Sequence, residues 1–179
     1  MRIISGTYKG RIIMGYDIFG TRPTMDRVKE SLFAMLGFSV KGAACLDLFA
    51  GSGALGIEAL SNGAKSCVFV DQNPKVITTL KENLEKINVQ EDYQLMRADY
   101  KEALKSLALQ SHQFDLVFLD PPYQDQRMES SLNLLKEYHL LSEHAILVCE
   151  SEGEEYDSPY PLWKEKQYGS KVVKLFRIK

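Results

Sequence analysis

The sequence predicts an α/β fold, a mainly parallel sheet with helices on both faces. Three observations carry this. From about residue 43 onward, short apolar runs alternate with longer amphipathic segments, the pattern of successive βα units. Several of the apolar runs are continuous rather than alternating, as strands covered on both faces require. A glycine-rich turn, Gly51-Ser-Gly53-Ala-Leu-Gly56, directly follows the first run.

In chain order, Arg2-Ile-Ile4 and Arg11-Ile-Ile-Met14 flank the turn-rich Ser5-Gly-Thr-Tyr-Lys-Gly10 and predict a small N-terminal β-hairpin. Thr24 is expected to cap a helix over 25–36, with Gly37 just past its end. Strands are predicted over 44–49, 66–71, 93–97, 114–120 and 145–149, and helices over 54–62, 74–88, 101–110 and 127–139. Gly63 suits the stop of the 54–62 helix, and Pro74 suits the first turn of the next. The run Glu150 to Asp157 holds five acids among eight residues and is expected to be a solvated loop. Near the end, Gly169-Ser170 separates two strand-like runs within 165–179, which predicts a closing antiparallel hairpin.

A length of 179 residues suits a single domain, 1–179, with residues 1–23 as an N-terminal hairpin extension. At 45% hydrophobic and 26% charged residues the composition is globular and outside the disordered regime. The N-terminus has no apolar leader and no run is long enough to cross a bilayer, so a cytoplasmic location is expected. Cys45, Cys67 and Cys149 are widely spaced and each lies in an apolar run, which predicts buried, reduced thiols. His112, His139 and His144 lack ligand spacing, and no metal is expected.

The chemistry centres on two segments. In Asp47-Leu-Phe-Ala-Gly51-Ser-Gly53-Ala-Leu-Gly56 the glycines have dinucleotide-fingerprint spacing, and Asp71 falls about 20 residues on, where an acid would bind ribose hydroxyls. However, Asp47 places a carboxylate beside the loop, where a pyrophosphate needs positive potential. S-adenosylmethionine carries an ammonium and a sulfonium and no phosphate, which makes it the preferred ligand. Asp47, Asp71, Asp99 and Asp120 each fall at or just beyond a predicted strand end, so they are expected to converge on one edge of the sheet. Asp71 is then the ribose-hydroxyl acceptor, and Asp99 accepts from the adenine amine.

The second segment is Asp120-Pro121-Pro122-Tyr123. Two prolines remove two backbone donors, which leaves an acceptor-rich turn suited to an exocyclic amine, with Tyr123 as a stacking face for a base. The residues alone leave guanine N2, adenine N6, cytosine N4 and protein glutamine amides open as acceptors.

Together these motifs resemble class I S-adenosylmethionine-dependent amino-methyltransferases. Arg2-Ile-Ile-Ser-Gly-x-Tyr-Lys-Gly-Arg11, Thr21-Arg-Pro-Thr-x-Asp-Arg-Val-Lys-Glu30 and Asp47 to Leu60 are similar to the RsmD family of bacterial 16S ribosomal RNA guanine-N2 methyltransferases. The resemblance implies a Rossmann-like, seven-stranded methyltransferase fold. It implies cofactor contacts at Asp47, Ala50, Gly51, Gly53, Asp71 and Asp99 and catalysis at Asp120, Pro121, Pro122 and Tyr123. It also implies a 16S rRNA partner in an assembling small ribosomal subunit. A non-catalytic RNA-binding assembly factor and a nicotinamide-dependent oxidoreductase are the rival readings, the latter resting on glycine spacing alone.

The net charge of −2 divides unevenly along the chain. Residues 1–30 hold six bases (Arg2, Lys9, Arg11, Arg22, Arg27, Lys29) and three acids, a net of +3, which leaves −5 for the rest. Phosphate contacts dominate nucleic-acid affinity, so Arg2, Lys9, Arg11, Arg22 and Arg27 are the expected RNA-facing residues.

Overall fold

The computed structural model describes residues 1–15, 23–122 and 126–178. Its helices are α1 (Pro23–Leu36), α2 (Ala54–Ser61), α3 (Pro74–Ile87), α4 (Tyr100–Leu109) and α5 (Arg127–Glu137). Its strands are β1 (Ala44–Asp47), β2 (Ser66–Asp71), β3 (Asp92–Arg97), β4 (Phe114–Leu119), β5 (Leu141–Ser151), β6 (Leu162–Tyr168) and β7 (Lys171–Arg177). They form one seven-stranded sheet in the order β3-β2-β1-β4-β5-β7-β6. β1 to β5 pair in parallel, and β7 pairs antiparallel with both β5 and β6.

The sheet separates two apolar layers. Leu46, Val68, Val117 and Leu147 turn to one face and pack with α4 and α5. Cys45, Cys67, Phe69 and Phe118 turn to the other, with α1, α2 and α3. This two-sided burial explains why β2, β4 and the second half of β5 are continuous apolar runs. The three cysteines are free and buried, and burial pushes each thiol up, which keeps it protonated.

Local chemistry places the helix ends. Asn73 caps α3 by accepting from the Lys75 N–H, with Pro74 in the first turn. Gly63, at φ +101°, follows the end of α2. α1 begins at Pro23 rather than after a cap at Thr24, because proline has the φ of a first helical residue and lacks a donor that would go unmet there.

The N-terminal segment departs from a two-stranded hairpin. Its pairing is an isolated antiparallel bridge between Arg2 and Ile12, supported by Ile3 N–H to Arg11 O at 3.0 Å and Ile13 N–H to Met1 O at 2.9 Å. Docking holds it instead. The peptide N–H groups of Ile4 and Ser5 donate to the fully buried Glu58 carboxylate at 3.0–3.1 Å, and Lys29 completes the clasp at 3.4 Å from Glu58. Gly6, at φ +82°, lies so close to Ser61 that an added Cβ would be 1.9 Å from its carbonyl oxygen. This cover explains the composition of α2, in which Gly56 to Ser61 are all buried: the sheet takes one side and the N-terminal segment the other.

One further expectation is corrected. The acidic run is not wholly a solvated loop, since Glu150 and Ser151 complete β5 and Glu150 is buried. Lys29, counted among the six bases of residues 1–30, is 4% exposed and committed to Glu58 and the Arg2 carbonyl, so it adds no free charge to that surface.

Candidate active site

β1 has β2 on one side and β4 on the other, so the direction of the chain crossovers reverses there. In open parallel sheets that reversal leaves a crevice at the C-terminal strand ends. A cavity of about 310 Å³ fills it, within the usual range of small-molecule sites. Gly51, Asp71, Asp99, Asp120, Pro121 and Pro122 all line it.

The glycine turn is shaped by backbone geometry. Gly51 has φ +55° and no neighbour within 4 Å of an added Cβ, so its backbone stands open. Gly53, the N-cap of α2, has φ +83°, and a Cβ there would be 2.2 Å from Leu80 Cδ1. The loop amides are already engaged by carboxylates: Gly51 N–H donates to Asp71 at 3.1 Å and Gly56 N–H to Asp47 at 3.0 Å. A pyrophosphate would meet negative charge here in place of open N–H groups, so the donor set fits a cationic ligand. Phe49 and Tyr100, with ring centroids 5.5 Å apart, add an aromatic wall.

The expected residues do not all reach the cavity. Asp47 is buried behind the turn, and desolvation pushes its carboxyl up to about 7 although the Gly56 hydrogen bond opposes this. Ala50 and Gly53 shape the loop without lining the cavity. Asp99 lines the wall and also caps α4, accepting from the Lys101 N–H at 2.9 Å. Tyr123 and Arg22 lie outside the described residues.

Asp120 follows β4 and opens into the cavity. Its carboxyl is exposed on the cavity wall, yet the protein packed around it raises its pKa above the usual range; the nearby Glu150 carboxylate raises it further and Lys171 opposes. Glu150 accepts from Lys171 Nζ at 3.2 Å. Lys171 and Arg127 line the cavity, and the sequence pattern assigned neither of them a role. The period-2 alternation of β7 places Lys171 at the strand's start, but only the antiparallel pairing of β7 with β5 brings that start to the site. A smaller adjoining cavity of about 50 Å³ joins Asp120, Pro121 and Pro122 to Glu152, Glu154 and Glu155 of the acidic loop.

A seven-stranded sheet with a reversed β7, an acid-lined glycine turn at its switch point and an Asp-Pro-Pro turn on the same cavity defines a class I methyltransferase. The chain belongs to the family described as Conserved hypothetical protein 95, whose model matches residues 1–177. Two relatives and one solved structure illustrate the match. YlbH of Bacillus subtilis is 46% identical over 86% of this chain and 84% of its own length. Ribosomal RNA small subunit methyltransferase D of Haemophilus influenzae is 38% identical over 99% of this chain and 93% of its own. The solved structure of yhhF from Escherichia coli superposes with a TM-score of 0.85 at 34% identity, covering 99% of this chain and 97% of that one.

Proposed function

We propose that this chain transfers a methyl group from S-adenosylmethionine to the exocyclic N2 of a guanine in 16S ribosomal RNA. The observation that carries the reading is the meeting of Asp71, Asp99 and Asp120-Pro121-Pro122 on one cavity whose loop amides are engaged by carboxylates. The RNA substrate rests on relatives such as the Haemophilus influenzae small subunit methyltransferase.

In this reading Asp71 and Asp99 hold the ribose and adenine of the cofactor, Gly51 lets the backbone approach it, and Asp47 sets the turn from behind. The cofactor supplies an electrophilic methyl on a cationic sulfur. Asp120 accepts a hydrogen bond from the guanine amine and aims its lone pair at that methyl. Once methylated, the amine nitrogen would have a proton to lose. A carboxylate whose pKa is raised is a better acceptor for that proton, so Asp120 suits both positioning and proton acceptance. Tyr123 completes the motif as the stacking face for the flipped base.

The segment within 1–23 is the RNA-facing extension of this single domain, working on a cytoplasmic, assembling subunit. Arg2, Lys9, Arg11 and Arg27 are exposed, as phosphate contacts require. Asn83 ties the segment to the cofactor loop, its amide donating to Met14 O at 2.9 Å and to Ser52 O at 3.1 Å.

Tritiated-methyl transfer onto under-methylated small subunits, compared with the same RNA stripped of protein, tests the reading. Label recovered as N2-methylguanosine in 16S RNA is expected. Label on adenine, cytosine or a protein amide, or no transfer to either substrate, overturns it.

A further inference from the structure

We infer that the β6–β7 hairpin, together with the adjoining face of α1, forms a second RNA-binding track leading to the active site. The inference rests on the rRNA reading above and extends it to a surface outside the N-terminal segment. Residues 162–177 carry Lys164, Lys166, Lys171, Lys174 and Arg177 against the single acid Glu165, a net of +4 in sixteen positions. The body of the chain, negative as a whole, therefore contains a strongly basic hairpin.

Pairing sorts these charges. Lys164 and Lys166 stand opposite Leu175 and Val173, on the sheet face covered by α1, whereas Glu165 pairs with Lys174 on the other face. Lys166 Nζ donates to Ser31 Oγ at 2.9 Å and Lys164 Nζ to Met35 O at 3.4 Å, so both cations lie along the α1 seam. Arg27 is one helical turn before Ser31 and extends the same line, with Asp26 directly before it and Glu30 three positions after it as the acids of that stretch of helix.

Among the described residues, no carboxylate lies within ion-pair distance of Lys164, Lys166, Lys174 or Arg177. Their neighbours are rings instead: Lys164 and Arg177 sit 4.1 and 4.5 Å from the Trp163 centroid, and Lys166 sits 5.3 Å from that of Tyr168. A ring orders a cation without cancelling its charge, which leaves the charge available to a phosphate. At the far end of the hairpin Lys171 lines the 310 Å³ cavity with Asp120. Seven residues of β7 span about 20 Å, room for several consecutive phosphates of a strand entering the site.

The test is binding of protein-free small-subunit ribosomal RNA by the full chain over a range of salt concentrations. Lys164→Gln/Lys166→Gln is expected to bind at least tenfold more weakly at 0.1 M salt and to lower the slope of log affinity against log salt by about two, because each lost phosphate contact removes about one. Cofactor affinity by calorimetry is expected to match the parent. Because Lys164 also supports α1, Lys166→Gln alone, at an exposed position, is the second variant, with a slope change of about one. Parent-like affinity and slope in the variants overturn this inference alone. That result would mean these lysines only guard the edge strand against pairing. A parent chain that binds no ribosomal RNA overturns the rRNA reading and this inference with it.

Discussion

Lys171 Nζ lies 3.2 Å from Glu150 Oε1, and the pair stands beside Asp120, Lys171 on the wall of the candidate active-site cavity and Glu150 on that of the smaller cavity adjoining it. Glu150 is buried at the end of β5 and Lys171 opens β7, so the antiparallel pairing of these strands creates the contact. The two residues act on Asp120 in opposite directions, Glu150 raising its pKa and Lys171 lowering it.

That opposition has a measurable consequence. Removing the negative neighbour in Glu150→Gln favours ionised Asp120 and moves the rising limb of the methyl-transfer pH profile to lower pH. Lys171→Met removes the positive neighbour and moves it to higher pH. Shifts of kcat with pH in the same direction for both variants would show that Asp120 is not the titrating group.

Asp120→Ala is expected to lower methyl transfer by at least a hundredfold, the lower end of what a positioned acid–base group contributes. Cofactor binding by calorimetry should remain within about threefold, since Asp71, Asp99 and the glycine turn are untouched. Loss of cofactor binding instead would reassign Asp120 to the cofactor.

Asp47 links stability to pH. Its carboxyl titrates at about 7 in the folded chain against an ordinary 3.8, so the folded state holds the proton more tightly. Its contribution to stability is therefore lost as pH rises from near 4 to near 7. Asp47→Asn keeps an acceptor for the Gly56 N–H without the charge. Relative to the parent it should gain on the order of 2–4 kcal/mol across that window, read from urea unfolding at each pH.

Glu58 is the central tie of the N-terminal segment, holding Ile4, Ser5 and Lys29 together. Glu58→Ala leaves two peptide donors unmet and a buried ammonium with the Arg2 carbonyl but no counter-charge, and should destabilise the chain by about 3–5 kcal/mol. Amide exchange at Ile4 and Ser5 should speed up more than exchange in β4. Equal protection in both regions would show that the docked segment is held by its apolar contacts alone.

Gly53→Ala combines a left-handed backbone with a contact of 2.2 Å to Leu80. A loss of about 1–3 kcal/mol and weaker cofactor binding are expected, because a side chain strains the left-handed backbone and the buried Leu80 methyl must give way. Thermal melts with and without S-adenosylmethionine separate the two effects.

Much of this molecule was legible in the chain itself. β2 and α3 begin where the sequence pattern places them, because continuous apolar runs, a proline at Pro74 and a glycine at Gly63 act through neighbours in the chain. The same locality made Gly51, Asp71, Asp99 and Asp120 readable, since a strand-end position in a parallel sheet is also a position at the site. What escaped depends on partners distant in sequence. Glu150 looked like one acid in an exposed run until β5 extended to Ser151 and met Lys171, 21 positions on. Nothing local marked Lys29, one of six bases in residues 1–30, as the buried partner of Glu58, which lies 29 positions away. The basic β6–β7 hairpin was hidden in a negative total. Sequence determines the alternation of elements and the chemistry at their ends, because those are set by short-range backbone and apolar-periodicity rules. Tertiary structure alone decides which charges are buried, paired or left facing solvent, because desolvation and ion pairing depend on what the fold packs against each side chain.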